Sequence, residues 1–461
     1  MSEQILAIDI GSTKICAIIA EIDDGRVQVL GHGTAKSQGI KKGAITNIEL
    51  ASKAIKKAIV DAKRIAGSNI GTATVSISNA YAKSLNSTGV VNIPHKDISI
   101  KEINRVMQTA LYNANIPNEY EVIHVLPYNF RVDDQDYIED PFGMNASRME
   151  VDVNIIITQK SNLSNLKKAV RSAGVEIDGI VLSGYGSAVA VMNEDEKEMG
   201  VAVINLGGQT SDLVVHTGNA IRYNDYLAVG SNHITNDLSM ALHTPLQIAE
   251  EVKIRYGDLT ETSNEVIELP IIGDEENHNN ISLEIVHSVI FSRVEETLML
   301  LAKLLEKSAL KEQIGAGLIL TGGMTKLKGI RELAQSIFPG MPVRIALPRN
   351  IEGLFEELKD PSYATVVGLL LYKAGEHTQY EIDFKQELLH SKTVYEENLD
   401  DIKISNTVHA VEDHKNTKNE TKQHEETHSE LGTFTFENLP DIGQENINPF
   451  KKFANWAKQL F

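Results

Sequence analysis

Two strand–turn–strand units of the same design, about 195 residues apart, constrain this chain more than any other feature. In the first, the strand-like run Ile5 to Asp9 meets Ile15 to Glu21 through the turn Gly11-Ser12-Thr13. In the second, Val201 to Leu206 meets Asp212 to His216 through Gly207-Gly208-Gln209-Thr210. A glycine turn between strands is by itself an ordinary hairpin. Its return so far along the chain says that the second half restarts the organisation of the first.

Helical segments alternate with these strands. Asn47 can cap a helix with apolar positions Ile48, Ala51, Ile55, Ile59, Ala62 and Ile65, closed by Gly67. Ser99 with Glu102 is a capping box for a helix running to about Ala114. Lys160 to Ala173 predicts another helix, ended by Gly174 and leading into a strand from Gly179 to Leu182. A third glycine turn, Thr321-Gly322-Gly323-Met324, follows the strand Gly317 to Leu320 and precedes a helix from about Leu327. This alternation means an α/β architecture. Cys16 reads as a small core residue, and Met299 with Leu298, Leu300, Leu301, Leu304 and Leu305 as the core of a helix. One cysteine excludes an internal disulfide.

The hairpins have the chemistry of phosphate loops. Glycines let the backbone approach a phosphate, and successive N–H groups cradle its oxygens. Ser12 and Thr13 add hydroxyl donors, and Lys14 can screen β/γ charge. Asp9, at a strand end, is placed to hold Mg²⁺ through water, since Mg²⁺ keeps several waters and takes few carboxylates. Two such hairpins facing each other would clamp a triphosphate between two lobes. Gly322 and Gly323 would offer a flat surface to an adenine.

Composition changes near Gly375. From Glu376 to Asn446 there are seventeen acidic and six basic residues, a net −11, and few large apolar ones. Such a segment cannot bury enough surface to offset its ordering entropy and is expected to be a disordered, self-repelling linker. Its histidines, from His377 and His390 onward, are expected to be solvated. His424-Glu425-Glu426-Thr427-His428 matches a zinc-protease pattern, but a polar tract offers neither a rigid helix nor a third ligand. The last fourteen residues, Asn448 to Phe461, separate into two faces at 100° per residue. Phe450, Phe453, Trp456, Leu460 and Phe461 share one arc, and Lys451, Lys452 and Lys458 lie on the other. Aromatics opposite lysines suit a helix lying in a membrane interface. No uninterrupted apolar run is long enough to span a bilayer, and no secretory signal opens the chain. A net charge of −19 argues against sequence-independent nucleic-acid binding. The expectation is a cytoplasmic body, a tether and a membrane-seeking tip.

The constellation of loops resembles the superfamily of actin, the heat-shock chaperone ATPases and the sugar kinases. Those folds carry a phosphate-1 loop, a phosphate-2 loop and an adenosine motif in this order. Within it, the chain looks like the FtsA family of bacterial division proteins. About Leu85 to Thr158 is similar to that family's inserted subdomain, including His124-Val125-Leu126-Pro127 and Asp140-Pro141-Phe142-Gly143. Ala249-Glu250-Glu251-Val252-Lys253 resembles the segment whose Glu and Lys approach ribose and adenine, a role carried to Glu250 and Lys253. Gly230 looks like the glycine beside the nucleotide, and Met324 extends the adenosine turn. Ile180 to Met192 and Pro361 to Ala374 look like the two helices on which the lobes hinge.

The resemblance implies an actin-like two-lobed ATPase fold. Residues 1–84, 161–195 and 347–375 would form subdomain 1A, and 85–160 the inserted subdomain 1C. Residues 196–235 and 311–346 would form 2A, and 236–310 would form 2B. The linker (376–446) and the amphipathic tip (447–461) would follow. It further implies ATP and Mg²⁺ as cofactors and self-assembly into filaments. The FtsZ C-terminal peptide would bind on 2B, other divisome proteins on 1C, and anionic lipids of the inner membrane at the tip. The place implied is the cytoplasmic face of that membrane, at the septum.

One departure is visible. Families of this fold usually begin the second loop with Asp, where this chain has Asn205, and their third glycine is Gln209 here. Asn can accept a hydrogen bond from a metal-bound water but is a poor Mg²⁺ partner and a poor base. Nucleotide binding with at most slow hydrolysis is expected, with Asp9 and Asn205 as the Mg²⁺ and water positions. The alternative is another ATPase of the same superfamily, or a kinase. A kinase needs a catalytic carboxylate facing a substrate hydroxyl and has no use for a membrane tip.

Overall fold

The computed structural model describes residues 2–261 and 263–390. The chain opens with an antiparallel meander, β1 (Glu3–Ile10), β2 (Lys14–Asp23) and β3 (Arg26–Lys36). Helix α1 (Ile48–Ala66) is capped by the Asn47 side chain, which accepts from the Leu50 N–H, and ends at Gly67 in the left-handed region. Strand β4 (Thr72–Ile77) then joins β1 in parallel.

The insertion follows: β5 (Ala82–Asn92), α2 (Ile100–Asn113), β6 (Tyr120–Val132), β7 (Gln135–Ile138) and β8 (Arg148–Gln159). Its sheet has the order β5-β8-β6-β7, and α2 begins with the Ser99–Glu102 capping box. The chain returns through α3 (Lys160–Ser172) and β9 (Glu176–Leu182), which completes a first sheet of order β9-β4-β1-β2-β3.

Helix α4 (Ser183–Val191) leads to the second lobe. There β10 (Val201–Leu206), β11 (Ser211–Thr217) and β12 (Ala220–Leu227) repeat the opening meander. Helices α5 (Ser231–Leu242) and α6 (Leu246–Tyr256), the hairpin β13 (Val266–Ile271) and β14 (Asp274–Ser282), and α7 (Leu283–Lys307) come next. Strand β15 (Gly317–Thr321), α8 (Ile330–Ile337) and β16 (Val343–Ile345) finish a sheet of order β12-β11-β10-β15-β16. The two five-stranded sheets thus have one design, three antiparallel strands followed by two parallel ones.

Helix α9 (Ala364–Lys373) crosses back to the first lobe and packs along α4. Helices lie on both faces of the first sheet, so its central strands are continuous apolar runs. In β2, Ile15 through Ala20 are all buried, Cys16 included. At the α4–α9 crossing the backbones touch. A Cβ on Gly368 would stand 1.7 Å from the carbonyl oxygen of Gly186, so no other residue fits.

Three expectations need correction. Met299 is exposed and Leu300 and Leu304 are half-buried, while Leu298, Leu301 and Leu305 are buried, because the first three lie toward the outer face of α7. After Met324 the chain makes a 3₁₀ turn (Gly323–Lys326), and the helix starts only at Ile330. The polar segment is not a free linker from Glu376. Residues 376–390 fold back over the insertion, with Tyr380 and Ile382 joining its core and Glu381 fully buried. Tyr380, Ile382 and the partly buried Leu388 sufficed there, because the insertion supplies the rest of the core. His377 is half-buried against Tyr372, and His390 is half-buried too. The rest of the linker, the His424–His428 pattern and the tip lie outside the described residues. Among the described residues, no helix is long and apolar enough to cross a membrane.

Candidate functional site

The two hairpins close in the same way. Gly11 N–H donates to the Lys14 carbonyl at 3.1 Å, and Gly207 N–H to that of Thr210 at 3.0 Å. Their tips meet. A Cβ on Gly208 would stand 2.2 Å from the Thr13 methyl, so a glycine is required for the approach. Between them lies a cavity of about 250 Å³. Asp9, Gly11, Ser12, Thr13 and Lys14 wall one side, Asn205, Gly207, Gly208, Gln209 and Thr210 the other, and Gly322 and Gly323 the end. Four expected residues do not line it. Gly230 lies beneath the second hairpin, where the next two N–H groups bond the Gly207 and Gly208 carbonyls. Met324 is 2% exposed, turned into the core. Glu250 and Lys253 form an ion pair at 2.6 Å, and Lys253 Nζ also donates to Thr235 Oγ1 at 2.9 Å and the Ser231 carbonyl at 3.3 Å. Of this group only Ser231 reaches the cavity wall. The tip residues Phe450 to Phe461 lie outside the described residues.

The polar groups of the cavity are partly committed. Asp9 Oδ1 accepts from Ser76 Oγ at 2.8 Å. Burial raises its pKa, opposed by that hydroxyl and by Lys14. Lys14 Nζ donates to Ser362 Oγ at 2.6 Å and stands 3.0 Å from the Tyr363 ring centroid. Burial lowers its pKa to about 8. Ser12 Oγ accepts from Gly43 N–H at 2.8 Å. Gln209 Oε1 accepts from Lys42 N–H at 2.7 Å, so this side chain staples the second hairpin to the first lobe. Asn205 donates its amide N–H to Ser187 Oγ at 2.8 Å, on helix α4.

Sequence reasoning missed Asp212. It faces Asn205 across the β10–β11 ladder, the place Cys16 holds opposite Asp9 in the first lobe. The second lobe therefore carries its carboxylate on the other strand of the hairpin. Asp212 is 5% exposed and lines the cavity. Its Oδ2 accepts from Ser183 Oγ at 2.8 Å, while Oδ1 has no partner. Burial, reinforced by the charge of Asp9 and opposed by the Ser183 hydroxyl, pushes its pKa up to about 7. The available signal was a lone carboxylate in an apolar strand, two residues past the turn. Ser76, Ser183, Ser362 and Thr365 also line the cavity and carried no signal, since they come from distant segments.

An unpartnered buried carboxylate oxygen beside a second carboxylate, between two glycine cradles, fits a hydrated divalent cation carrying an anionic ligand. Among the described residues no group of three or more His, Cys, Asp and Glu side chains could hold a metal ion directly.

Comparison with known proteins gives a consistent result. The family model described as cell division protein FtsA matches residues 202–368, and that of the SHS2 domain inserted in FtsA matches residues 79–157. A cell division protein FtsA from Helicobacter pylori strain J99 is 42% identical over 416 residues, covering 83% of this chain and 84% of the relative. The Escherichia coli K12 protein of the same description is 30% identical over 394 residues, covering 83% and 93%. Among solved structures, the PilM-PilN type IV pilus biogenesis complex superposes with a TM-score of 0.58 at 16% identity, over 80% of this chain and 98% of that one. MreB5 of Spiroplasma citri bound to ADP gives 0.50 at 15% identity, over 80% and 96%. At such identities the structural likeness shows the actin-like fold alone.

Proposed function

The chain belongs to the family of cell division protein FtsA, and on that footing we propose that it is an ATP-binding, filament-forming tether of the division machinery. In this reading it assembles on the cytoplasmic face of the inner membrane at the septum, holds FtsZ filaments there and recruits later division proteins. The observation that carries the nucleotide is the cavity closed by two copies of one glycine hairpin. Backbone N–H groups of Gly11–Lys14 and Gly207–Thr210 would hold the phosphates, and Lys14 would add charge. Asp9 and Asp212 would hold Mg²⁺ through water, taking the place assigned above to Asp9 and Asn205. Bound Mg²⁺ would neutralise charge on the β- and γ-phosphates. The MreB5 structure, described as bound to ADP, supports the choice of an adenine nucleotide.

With Asn205 in place of a carboxylate and its amide N–H committed elsewhere, hydrolysis would be slow at most. Subdomain 2B (236–310) would receive the FtsZ C-terminal peptide and the insertion other divisome proteins. Attachment would be weak per chain. Each of Lys451, Lys452 and Lys458 adds about 1 kcal/mol near anionic lipid, and aromatic burial at the interface is partial. A filament presenting many tips gains avidity from effective concentration.

The test uses Trp456, the sole tryptophan. Its fluorescence is recorded on adding anionic vesicles, with and without Mg-ATP. A blue shift that grows with ATP supports a tether whose assembly depends on nucleotide. An already blue, lipid-insensitive spectrum removes the membrane half of the reading.

A further inference from the structure

We infer that Asn205 is a positioning residue that ties the phosphate cavity to the helix crossing joining the two lobes. This rests on the nucleotide-binding reading above. Ser187, on α4, is fully buried, and its hydroxyl donates to the Ser183 carbonyl at 2.8 Å. Its oxygen then has two lone pairs to fill. Asn205 Nδ2 supplies one hydrogen at 2.8 Å, and the Thr365 hydroxyl, on α9, supplies the other at 2.8 Å. Asn205 Nδ2 also stands 3.4 Å from Thr365 Oγ1. One amide therefore touches both helices, beside the point where Gly186 and Gly368 press backbone to backbone.

The chemistry explains why an amide stands here. A carboxylate at position 205 has no hydrogen to give. It would force Ser187 or Thr365 to turn its proton toward it, and the Ser183 carbonyl or the Ser187–Thr365 bond would go unmade. The hydrogen-bond network also fixes which end of the amide is nitrogen. Oδ1 is then turned toward Gly322, whose added Cβ would lie 2.4 Å from it, at the cavity rim. One side chain thus lines the cavity and has its amide nitrogen on the crossing. Asp212 holds the same helix from the other strand through Ser183 Oγ. A phosphate or metal-bound water that engages Oδ1 shifts Nδ2, and the α4–α9 crossing responds. Occupancy of the cavity is in this way converted into an angle between lobes.

The test is hydrogen exchange of α4 and α9 peptides in the full chain, without nucleotide and with Mg-ATP, alongside calorimetric titration of Mg-ATP. In the parent, Mg-ATP slows exchange of both helices by about threefold or more. Ser187→Ala, which lies off the cavity wall, binds Mg-ATP but loses most of that slowing. Thr365→Ser, which keeps the hydroxyl, retains the response, and Thr365→Val loses it. This pair carries the comparison if Ser187→Ala does not fold. A purely structural hydroxyl would change the basal exchange and leave the nucleotide response intact, which overturns the proposal. So does a parent that binds Mg-ATP with no change in either helix. A parent that does not bind Mg-ATP at all removes the nucleotide reading and this inference with it.

Discussion

Glu381 Oε1 lies 2.9 Å from His124 Nδ1, and neither side chain has any exposed surface. His124 Nε2 accepts from the Leu182 N–H at 3.1 Å, so the ring proton sits on Nδ1 and is donated to Glu381. The Tyr185 hydroxyl donates to the other carboxylate oxygen at 2.8 Å, and the Tyr372 hydroxyl to Oε1. Four distant segments meet at this carboxylate: β6 of the insertion, α4, α9 and the strap of residues 376–390. Val125 and Ile382 exchange backbone hydrogen bonds beside it, and the Tyr380 hydroxyl donates to Asp140 at 2.6 Å. The strap is thereby part of the insertion's fold.

Glu381→Leu is expected to destabilise the chain by about 3–5 kcal/mol, because three buried donors lose their acceptor at once. Tyr372→Phe, which removes one donor only, should cost about 1 kcal/mol. Thermal or urea unfolding of the full chain measures both. Equal effects would mean that the carboxylate does not organise the junction.

Asp212 predicts a pH dependence. Its pKa is near 7 in the folded chain against 3.8 for an ordinary Asp. Between those values the folded chain keeps a proton that the unfolded chain has released. Stability contributed by this group therefore falls as pH rises from about 4 to about 7, by at most about 4 kcal/mol. Asp212→Asn should flatten that slope and weaken Mg²⁺-dependent nucleotide binding. Denaturation at pH 5 and pH 7.5 compares the two chains, and parallel slopes would exclude the effect.

Lys14→Met should lower Mg-ATP affinity by about tenfold, the loss of one charge-assisted contact worth about 1.4 kcal/mol. In the parent, with this pKa depressed to about 8, affinity should decline as pH rises past that value. Titration at pH 7 and pH 9 checks both. An unchanged affinity in the variant would place Lys14 with Ser362 and Tyr363 only.

Gly368→Ala should be far more damaging than a surface Gly→Ala change. The methyl would meet the Gly186 carbonyl at 1.7 Å, and neither backbone can yield without separating α4 from α9. Expected are a loss of several kcal/mol of stability and a cavity that no longer closes. Soluble chain with parental melting behaviour would contradict this.

Phe453→Glu should abolish vesicle binding, since it places a charge near the centre of the apolar arc. Co-sedimentation with anionic vesicles measures it. Unchanged binding would remove the tip as the anchor.

Local signals were reliable where the cause was local. Asn47 and Gly67 bound α1 because capping is settled by neighbours in sequence. The Ser99–Glu102 box did the same for α2. The repeated hairpins were legible because strand alternation and glycine turns are short-range patterns, and their repetition fixed a two-lobed plan before any contact was known. The sequence also determined the composition of the tail and the amphipathic order of the tip.

Only the tertiary structure decided what each side chain faces. Asn205 could not be seen to serve Ser187 and Thr365, since those hydroxyls come from 18 and 160 residues away. Asp212 became a cavity residue through strand register, and Lys253 left the cavity wall because Glu250, Thr235 and Ser231 claimed its ammonium group. The strap was invisible for the same reason. A polar stretch such as 376–390 folds when a distant core offers slots for Tyr380 and Ile382 and three donors for Glu381. Hydrogen-bond satisfaction and burial are properties of where segments meet, and no periodicity within one segment encodes them.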